Sequence, residues 1–233
     1  MKILAIDTSS KICSISILDN NNIIAEKHND EETTHSQKLM PLINNLLDET
    51  NLTLDDINLL ACCQGPGSFT GIRIGISTVK AFADVKNIPI IGVTSLESLA
   101  YNIKENSIIA TIIDAKNENV YFAMYELYNN SYKCIYEPTA ATISDSIQII
   151  NNLKNIDKKL VLVGDGSIVY KNILQSNILN CSFASDIENN QTSISVGLSA
   201  YDKYNSDSYT KQYSISPIYL KKSQAERTLS GEN

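Results

Sequence analysis

The stretch Gly65-Pro66-Gly67-Ser68-Phe69-Thr70-Gly71-Ile72-Arg73-Ile74-Gly75 has the composition of a ligand-holding turn. Gly65 and Gly67 admit backbone angles closed to other residues, and Ser68 or Thr70 can cap the first amides of a following helix. Such a junction offers unpaired N–H groups to an anion or to another chain's carboxylate. It is not a Walker loop, because the Gly-Lys-Ser/Thr ending is missing. Asp114 closes a later apolar run, with Glu118 beyond the turn. Two carboxylates can do acid and base work, but turn aspartates commonly cap hairpins, and capping is the favoured reading. Gly164-Asp165-Gly166 follows Leu160-Val161-Leu162-Val163 and reads equally well as the relic of an adenosine-binding turn or as a bare strand end.

Metal and covalent chemistry find few residues. Cys13, Cys62, Cys63, Cys134 and Cys181 form an odd set without C-x-x-C spacing, so neither a disulfide framework nor a zinc site is expected. Cys62 and Cys63 stand side by side in a strand-like run, pointing to opposite faces as packing residues. Ser68 lacks the G-x-S-x-G elbow of a nucleophilic serine. The histidines are His28, toward the end of a predicted strand, and His35, at a predicted helix start. A lone His35 reads as a helix-start or interface residue, since stable metal sites need about three or four ligands.

The elements that must position these groups follow from periodicity. Lys2 to Asp7, Ile12 to Leu18 and Ile23 to His28 read as an antiparallel meander, turned at Asp19-Asn20-Asn21-Asn22. Thr34 offers an N-cap to a helix ending near Thr50, whose Leu39, Leu42, Ile43, Leu46 and Leu47 keep the helical period. A strand from Ile57 to Cys63, the glycine junction, a helix to Lys86, a strand from Ile88 to Val93 and a short helix from Leu96 to Ile103 complete a mixed sheet with right-handed crossovers. Lys104-Glu105-Asn106 is a polar gap, and the domain boundary is placed there, giving domains 1–104 and 105–233. The order then partly recurs: Ile108 to Asp114, Val120 to Tyr128 and Tyr132 to Tyr136 as strands, a helix from Ile143 to Leu153 and a strand from Leu160 to Gly164. Ser193 to Tyr204 reads as another helix, and Pro217 to Leu220 as a last extended piece.

Composition narrows the partners. With 233 residues and 43% hydrophobic content the chain can bury one generous core or two small ones. A formal charge of -7 works against unaided binding of a polyanion, so any nucleic acid is expected to be held by a partner. The apolar start before Asp7 is too short for a signal-peptide core, and nothing approaches the roughly 20 apolar residues of a membrane span, so a soluble protein of the reducing cytoplasm is expected.

Two helices have more apolar surface than one sheet can cover. At about 100° per residue, Ile72, Ile76, Val79 and Ala83 form the stripe toward the sheet, while Ile74, Thr78, Ala81 and Val85 form a second stripe nearly opposite. A helix that only covers a sheet needs one apolar face. Gly71 and Gly75, four apart, would let another backbone approach closely. The earlier helix widens its stripe with Met40, Ile43 and Leu47. Together these residues predict half of a four-helix contact with a partner, with burial under the second domain as the alternative.

Several pieces stand in the order and spacing of the bacterial TsaB (YeaZ) family, which the chain resembles over nearly its whole length. They are Ala5-Ile6-Asp7-Thr8-Ser9, His35-Ser36-Gln37-Lys38-Leu39-Met40-Pro41, Gly65 to Gly75, Asp114-Ala115-Lys116 with Glu118-Asn119-Val120-Tyr121, Gly164-Asp165-Gly166, and Pro217-Ile218-Tyr219-Leu220-Lys221. The resemblance implies an actin-like, ribonuclease-H-like α/β fold in two domains of mixed sheets flanked by helices. It implies a non-catalytic subunit that binds its paralogue TsaD, with the ATPase TsaE joining, in threonylcarbamoyl transfer to the adenosine beside the anticodon of tRNAs reading codons that begin with A. The helix pair would pack on TsaD, or form homodimers in its absence, and tRNA would be met only indirectly. No cofactor is expected beyond the ATP used by the assembled complex, and weak nucleotide binding at the domain cleft stays open. In active members of the superfold the Asp7 position carries a magnesium-linked aspartate followed by a phosphate-contacting hairpin. Thr8 and Ser9 stand where those members usually have a glycine, so a loop-capping Asp7 is favoured and Asp7, Thr8, Ser9, Asp114, Gly164 and Gly166 make at most a vestigial nucleotide site. TsaD binds metal through two histidines four apart on a helix, whereas here the residue four after His35 is Leu39. The runner-up is an enzyme acting alone, a nucleotide hydrolase, kinase or peptidase-like hydrolase of the same superfold; a third reading is a self-associating structural protein.

Overall fold

The structure is a computed structural model that describes residues 1–29, 34–153, 158–206 and 209–221. Lys2–Asp7 (β1), Cys13–Asp19 (β2) and Asn22–Asn29 (β3) form the expected meander, with Ala5 opposite Ser16 and Ser16 opposite Glu26. Asn20, at φ 55°, turns the chain between β2 and β3 in a left-handed conformation that asparagine tolerates. Helix α1 spans His35–Glu49. Thr34 occupies its N-cap with extended backbone, yet makes no side-chain cap; its hydroxyl lies 3.1 Å from Ser36 Oγ instead. Leu59–Cys63 (β4) runs parallel to β1, Phe69–Lys86 (α2) crosses over, Ile90–Val93 (β5) joins parallel to β4, and Ser95–Ala100 (α3) follows. The sheet order is β3-β2-β1-β4-β5.

The same plan is laid down again. Ser107–Asp114 (β6), Asn119–Tyr128 (β7) and Ser131–Thr142 (β8) form a second meander, and Ile143–Leu153 (α4) leads to Leu160–Val163 (β9), parallel to β6. Two short helices, Asp165–Val169 (α5) and Lys171–Asn177 (α6), precede Cys181–Phe183 (β10), which pairs parallel with β9. The order β10-β9-β6-β7-β8 repeats that of the first sheet. The last described helix is Ser193–Tyr204 (α7), and no described helix is long and apolar enough to cross a membrane.

Contacts divide the chain differently from the contiguous domains 1–104 and 105–233. Met1–Ser98 groups with Gln191–Ile218, and Leu99–Asn190 forms the other unit with the chain from Tyr219. The boundary therefore falls inside α3, and α7 returns to the first sheet. The reason lies in β1 and β4, which are apolar on both faces and so need cover on both. Leu4, Ile6, Leu60 and Cys62 pack beneath α1 and α2. Ile3, Ala5, Leu59, Ala61 and Cys63 meet Val196 and Ala200 of α7. Gly197 allows this approach, since a β-carbon there would lie 2.5 Å from Leu18 Cδ1. Ser193 N donates to Ser14 Oγ at 3.0 Å and pins the start of α7 on β2. In the second unit Ile108, Ala110, Ile112, Phe122 and Met124 pack with Ile143, Ile147 and Ile150 of α4.

Candidate functional site

Helix α2 begins where the glycine run predicts. Ser68 is the N-cap, its Oγ accepting from Gly71 N at 3.2 Å. The glycines serve the chain's own packing. A β-carbon on Gly67 would stand 2.2 Å from Ser9 O, one on Gly71 2.0 Å from Thr8 O, and one on Gly75 2.5 Å from Thr8 Oγ1. Ser68 N donates to Ser9 O at 2.7 Å, and Thr8 Oγ1 donates to Gly71 O at 2.7 Å. The start of α2 is thus pressed onto the loop after β1, and the Ser68 and Gly71 amides that an anion might have used are taken. Gly71 and Gly75 were expected to admit a partner's backbone; they face Thr8, which corrects that part of the interface.

Asp7 lies under this lid, 1% exposed. Its Oδ1 accepts from Ser9 N at 2.8 Å and Ser9 Oγ at 2.7 Å, the capping arrangement, while Oδ2 is buried without a partner. Burial pushes its pKa up, and the Ser9 hydrogen bonds pull part of the way back. A polar chain continues outward: Ser9 Oγ lies 2.8 Å from Gln191 Oε1, Ser95 Oγ donates to Ser9 Oγ at 3.2 Å, and Cys63 Sγ lies 3.1 Å from Ser95 Oγ. The Cys63 thiol is raised to about 12, first by burial and then by the Asp7 charge, and burial raises Cys62 well above the ordinary value. Neither is a thiolate near neutral pH. His35 Nε2 meets Ser10 O at 2.9 Å, which makes this imidazole a tie between α1 and the same loop. Among the described residues no three His, Cys, Asp or Glu side chains converge as a metal site.

The equivalent strand end in the second unit is built otherwise. Asp114 Oδ1 accepts from Lys116 N at 2.9 Å and from the Tyr170 hydroxyl at 3.2 Å, and Oδ2 accepts from Lys116 Nζ at 2.5 Å. Burial alone would raise this carboxyl; the Lys116 hydrogen bonds and charge, with Tyr170, hold it below the usual carboxylate value. Lys116, Asn117 and Glu118 all take left-handed angles, φ 65°, 53° and 59°. The carbonyl of Glu118, rather than its exposed carboxylate, has the structural role, accepting from Ile143 N at 2.9 Å. Asp114 and Glu118 thus form a capped hairpin. Gly164, at φ 105°, and Gly166 press against β6: their β-carbons would lie 2.3 Å from Ile112 O and 2.8 Å from Ile112 Cγ2. Asp165 Oδ1 accepts from Asp114 N at 3.0 Å and closes the turn.

The helix pair keeps an open face. Ile72, Ile76, Val79 and Ala83 are buried toward the sheet, as the stripe predicts. Opposite them Val85 is 79% exposed, Ala81 is exposed, and Ile74 and Thr78 are half-buried. On α1, Met40 is 42% exposed, but Ile43 and Leu47, expected at the interface, are 1% and 8% exposed and belong to the core. Their side of α1 is spent on β2 and α2, which corrects their assignment. Ser36, Phe69, Thr70, Arg73, Ile74 and Ser77 line a shallow groove of about 470 Å³ at one end of the face. Arg73 stacks on Phe69 there, 3.8 Å from the ring centroid. The four-residue spacing of Phe69 and Arg73 on a helix was the signal that could have found this pair.

The chain has clear relatives among known proteins. Residues 22–229 match the sequence model of the family described as TsaD, tRNA N6-adenosine threonylcarbamoyltransferase. The chain is 31% identical over 176 residues to the tRNA threonylcarbamoyladenosine biosynthesis protein TsaB of Bacillus subtilis, covering 75% of this chain and 76% of that one. It is 35% identical over 181 residues to the TsaB of Buchnera aphidicola subsp. Schizaphis graminum, covering 76% and 83%. Among solved structures, YeaZ from Pseudomonas aeruginosa superposes with a TM-score of 0.78 at 23% identity, covering 94% of this chain and 99% of that one. A ROK hexokinase from Thermus thermophilus shares the fold at a TM-score of 0.51 and 10% identity, covering 87% of this chain and 99% of that one. The architecture is the actin-like α/β fold with two mixed sheets flanked by helices.

Proposed function

This chain belongs to the TsaB family of tRNA threonylcarbamoyladenosine biosynthesis proteins, and from that premise we propose that it is the non-catalytic subunit that binds and activates TsaD, with TsaE joining, for threonylcarbamoyl transfer to the adenosine beside the anticodon. It works in the cytoplasm, meets tRNA only through its partners, needs no cofactor of its own, and self-associates through the same face when TsaD is absent. The observation that carries this reading is the strip of exposed Met40, Ala81 and Val85 with half-buried Ile74, on two helices whose opposite faces are buried in the core. The candidate catalytic groups support it from the other side. Asp7 and Asp114 are occupied by their own loops, and the Cys62 and Cys63 thiols are buried.

Val85→Glu is the cleaner test, because Val85 lies far from the core, whereas Ile74 partly packs on it. Val85→Glu is expected to abolish co-purification with co-expressed TsaD while leaving the unfolding midpoint within about 0.5 kcal/mol of the wild type. Addition of the wild-type chain, and not of Val85→Glu, should then restore tRNA modification by TsaD and TsaE. Retention of TsaD by Val85→Glu at wild-type yield would remove the face from the account. Metal-dependent ATP turnover by the purified chain, lost in Asp7→Ala, would replace the scaffold with an enzyme.

A further inference from the structure

Both helices of the open face are fastened to the same three consecutive residues. Thr8 Oγ1 donates to Gly71 O at 2.7 Å, Ser9 O accepts from Ser68 N at 2.7 Å, and Ser10 O accepts from His35 Nε2 at 2.9 Å. The first two bonds hold the start of α2, and the third holds the start of α1. Asp7 Oδ1 takes Ser9 N and Ser9 Oγ and so braces the loop itself. The meeting point is Gly71, where a β-carbon would stand 2.0 Å from Thr8 O and 2.9 Å from the His35 ring. Thr8 is fully buried there. At about 100° per residue, Gly71 and Gly75 lie on the flank between the buried stripe Ile72, Ile76, Val79 and Ala83 and the open stripe Ile74, Thr78, Ala81 and Val85. Thr8 Oγ1 touches that flank at both glycines, since a β-carbon on Gly75 would come to 2.5 Å from it.

We propose that Thr8, Ser9 and Ser10 form a clamp that registers the two docking helices, with Thr8 as the positioning residue that sets the roll of α2 and so the line of Ile74, Ala81 and Val85. This rests on the helix-pair docking proposed above and names what aligns its face. Burial of the apolar stripe is non-directional and tolerates a slight roll of the helix on its sheet, whereas a hydrogen bond weakens steeply when its angle is lost. The directional contact therefore fixes the roll. A surface made by two helices fits a partner at one mutual setting, and a setting that has loosened must be restored on binding at the expense of affinity. Buried Thr8 thus acts on the partner without touching it.

The test compares variants of the full chain in their dissociation constant for purified TsaD, their unfolding midpoint and the hydrogen exchange of the Ser68 amide. Thr8→Val keeps the branched shape and removes the hydroxyl, and is expected to weaken TsaD binding about fivefold, the equivalent of roughly 1 kcal/mol for one hydrogen bond. Thr8→Ser keeps the donor and should bind within about twofold of the wild type. Exchange at Ser68 should quicken in Thr8→Val and stay unchanged along α4. On the other helix, His35→Leu should weaken binding, while His35→Gln, which retains an N–H, should preserve it. Ile150→Val trims the buried core of the second unit and controls for lost stability, with wild-type affinity expected. If Thr8→Val does not fold, the two His35 variants decide. Wild-type affinity in Thr8→Val and His35→Leu, alongside loss of binding in Val85→Glu, would overturn the clamp and leave the face standing. An equal loss of affinity in Ile150→Val would also overturn it, since affinity would then follow overall stability alone. Wild-type binding by Val85→Glu would remove the face, and the clamp with it.

Discussion

The strand ends after β1 and β6 occupy the same place in two sheets of identical order, and each carries an aspartate, yet they are closed by opposite means. At Asp7 the cover is backbone: glycines bring α2 onto Thr8 and Ser9, and the carboxyl is left buried with one oxygen unpartnered. At Asp114 glycine again presses on backbone, Gly164 on Ile112 O, but the carboxyl itself is met on both oxygens by Lys116 and Tyr170 and stays ionised. The following helices differ in the same sense. In the first unit the crossover is one helix, Phe69–Lys86, long enough to seal the loop and still present a second face. In the second unit the chain after β9 is broken into Asp165–Val169 and Lys171–Asn177. Duplication of a topology thus leaves each copy free to spend its strand ends differently, here on a docking helix in one and a closed hairpin in the other.

The contrast can be broken first at the glycines. Gly71→Ala places a β-carbon where backbone oxygen already stands, at 2.0 Å, so a loss of about 3 kcal/mol or more in urea unfolding is expected. Gly166→Ala meets Ile112 Cγ2 at 2.8 Å and backbone atoms only at 3.0 and 3.1 Å, and should cost clearly less. Equal losses would mean that the contact at Gly166 is as unyielding as the one at Gly71.

Next in size is the division between core and face on α1. Ile43→Ala should cost about 2–4 kcal/mol, as for a fully buried isoleucine, while Met40→Ala should stay within about 0.5 kcal/mol in the isolated chain. A comparable loss for both would return Met40 to the core.

The smallest effects, and the sharpest in sign, come from the aspartates. Asp7 has a raised pKa, so its contribution is fully present below the unfolded value near 3.8 and is lost as pH rises through the folded one. Asp7→Asn keeps an acceptor for Ser9 and removes the buried charge, and should therefore raise the melting temperature at pH 7 and lose that advantage in acid. Asp114 has a lowered pKa, so its contribution is present above 3.8 and lost as pH falls through the folded value. Asp114→Asn should lower stability at pH 7 by about 1 kcal/mol, a modest sum because Lys116 is 82% exposed and solvent screens the pair. Shifts of the same sign in the two variants would erase the distinction.

Local pattern made much of this legible. The meander, the position of α4, the N-cap at Ser68 and the buried stripe Ile72, Ile76, Val79 and Ala83 stand where periodicity and turn chemistry put them. The breaks at α5 and α6 and the short strand β10 were not foreseen, because elements of three to seven residues are too short to display a period. The width of the α1 stripe was read correctly and its use wrongly. Ile43 and Leu47 continue the same apolar surface as Met40, and only the neighbouring strand and helix decide which of the three remains outside.

By itself the sequence determined the type of most elements, the surplus apolar side of α2 and the family, since these depend on residue order within a few turns or on matching order along the chain. Tertiary structure alone decided that Gly71 and Gly75 close on Thr8, that α7 covers the first sheet from about 180 residues further along, and that Asp7 keeps one oxygen without a partner while both oxygens of Asp114 are paired. A period reveals which side of an element seeks cover; what supplies the cover is set by chain segments far away, through shape and distance that no local pattern encodes.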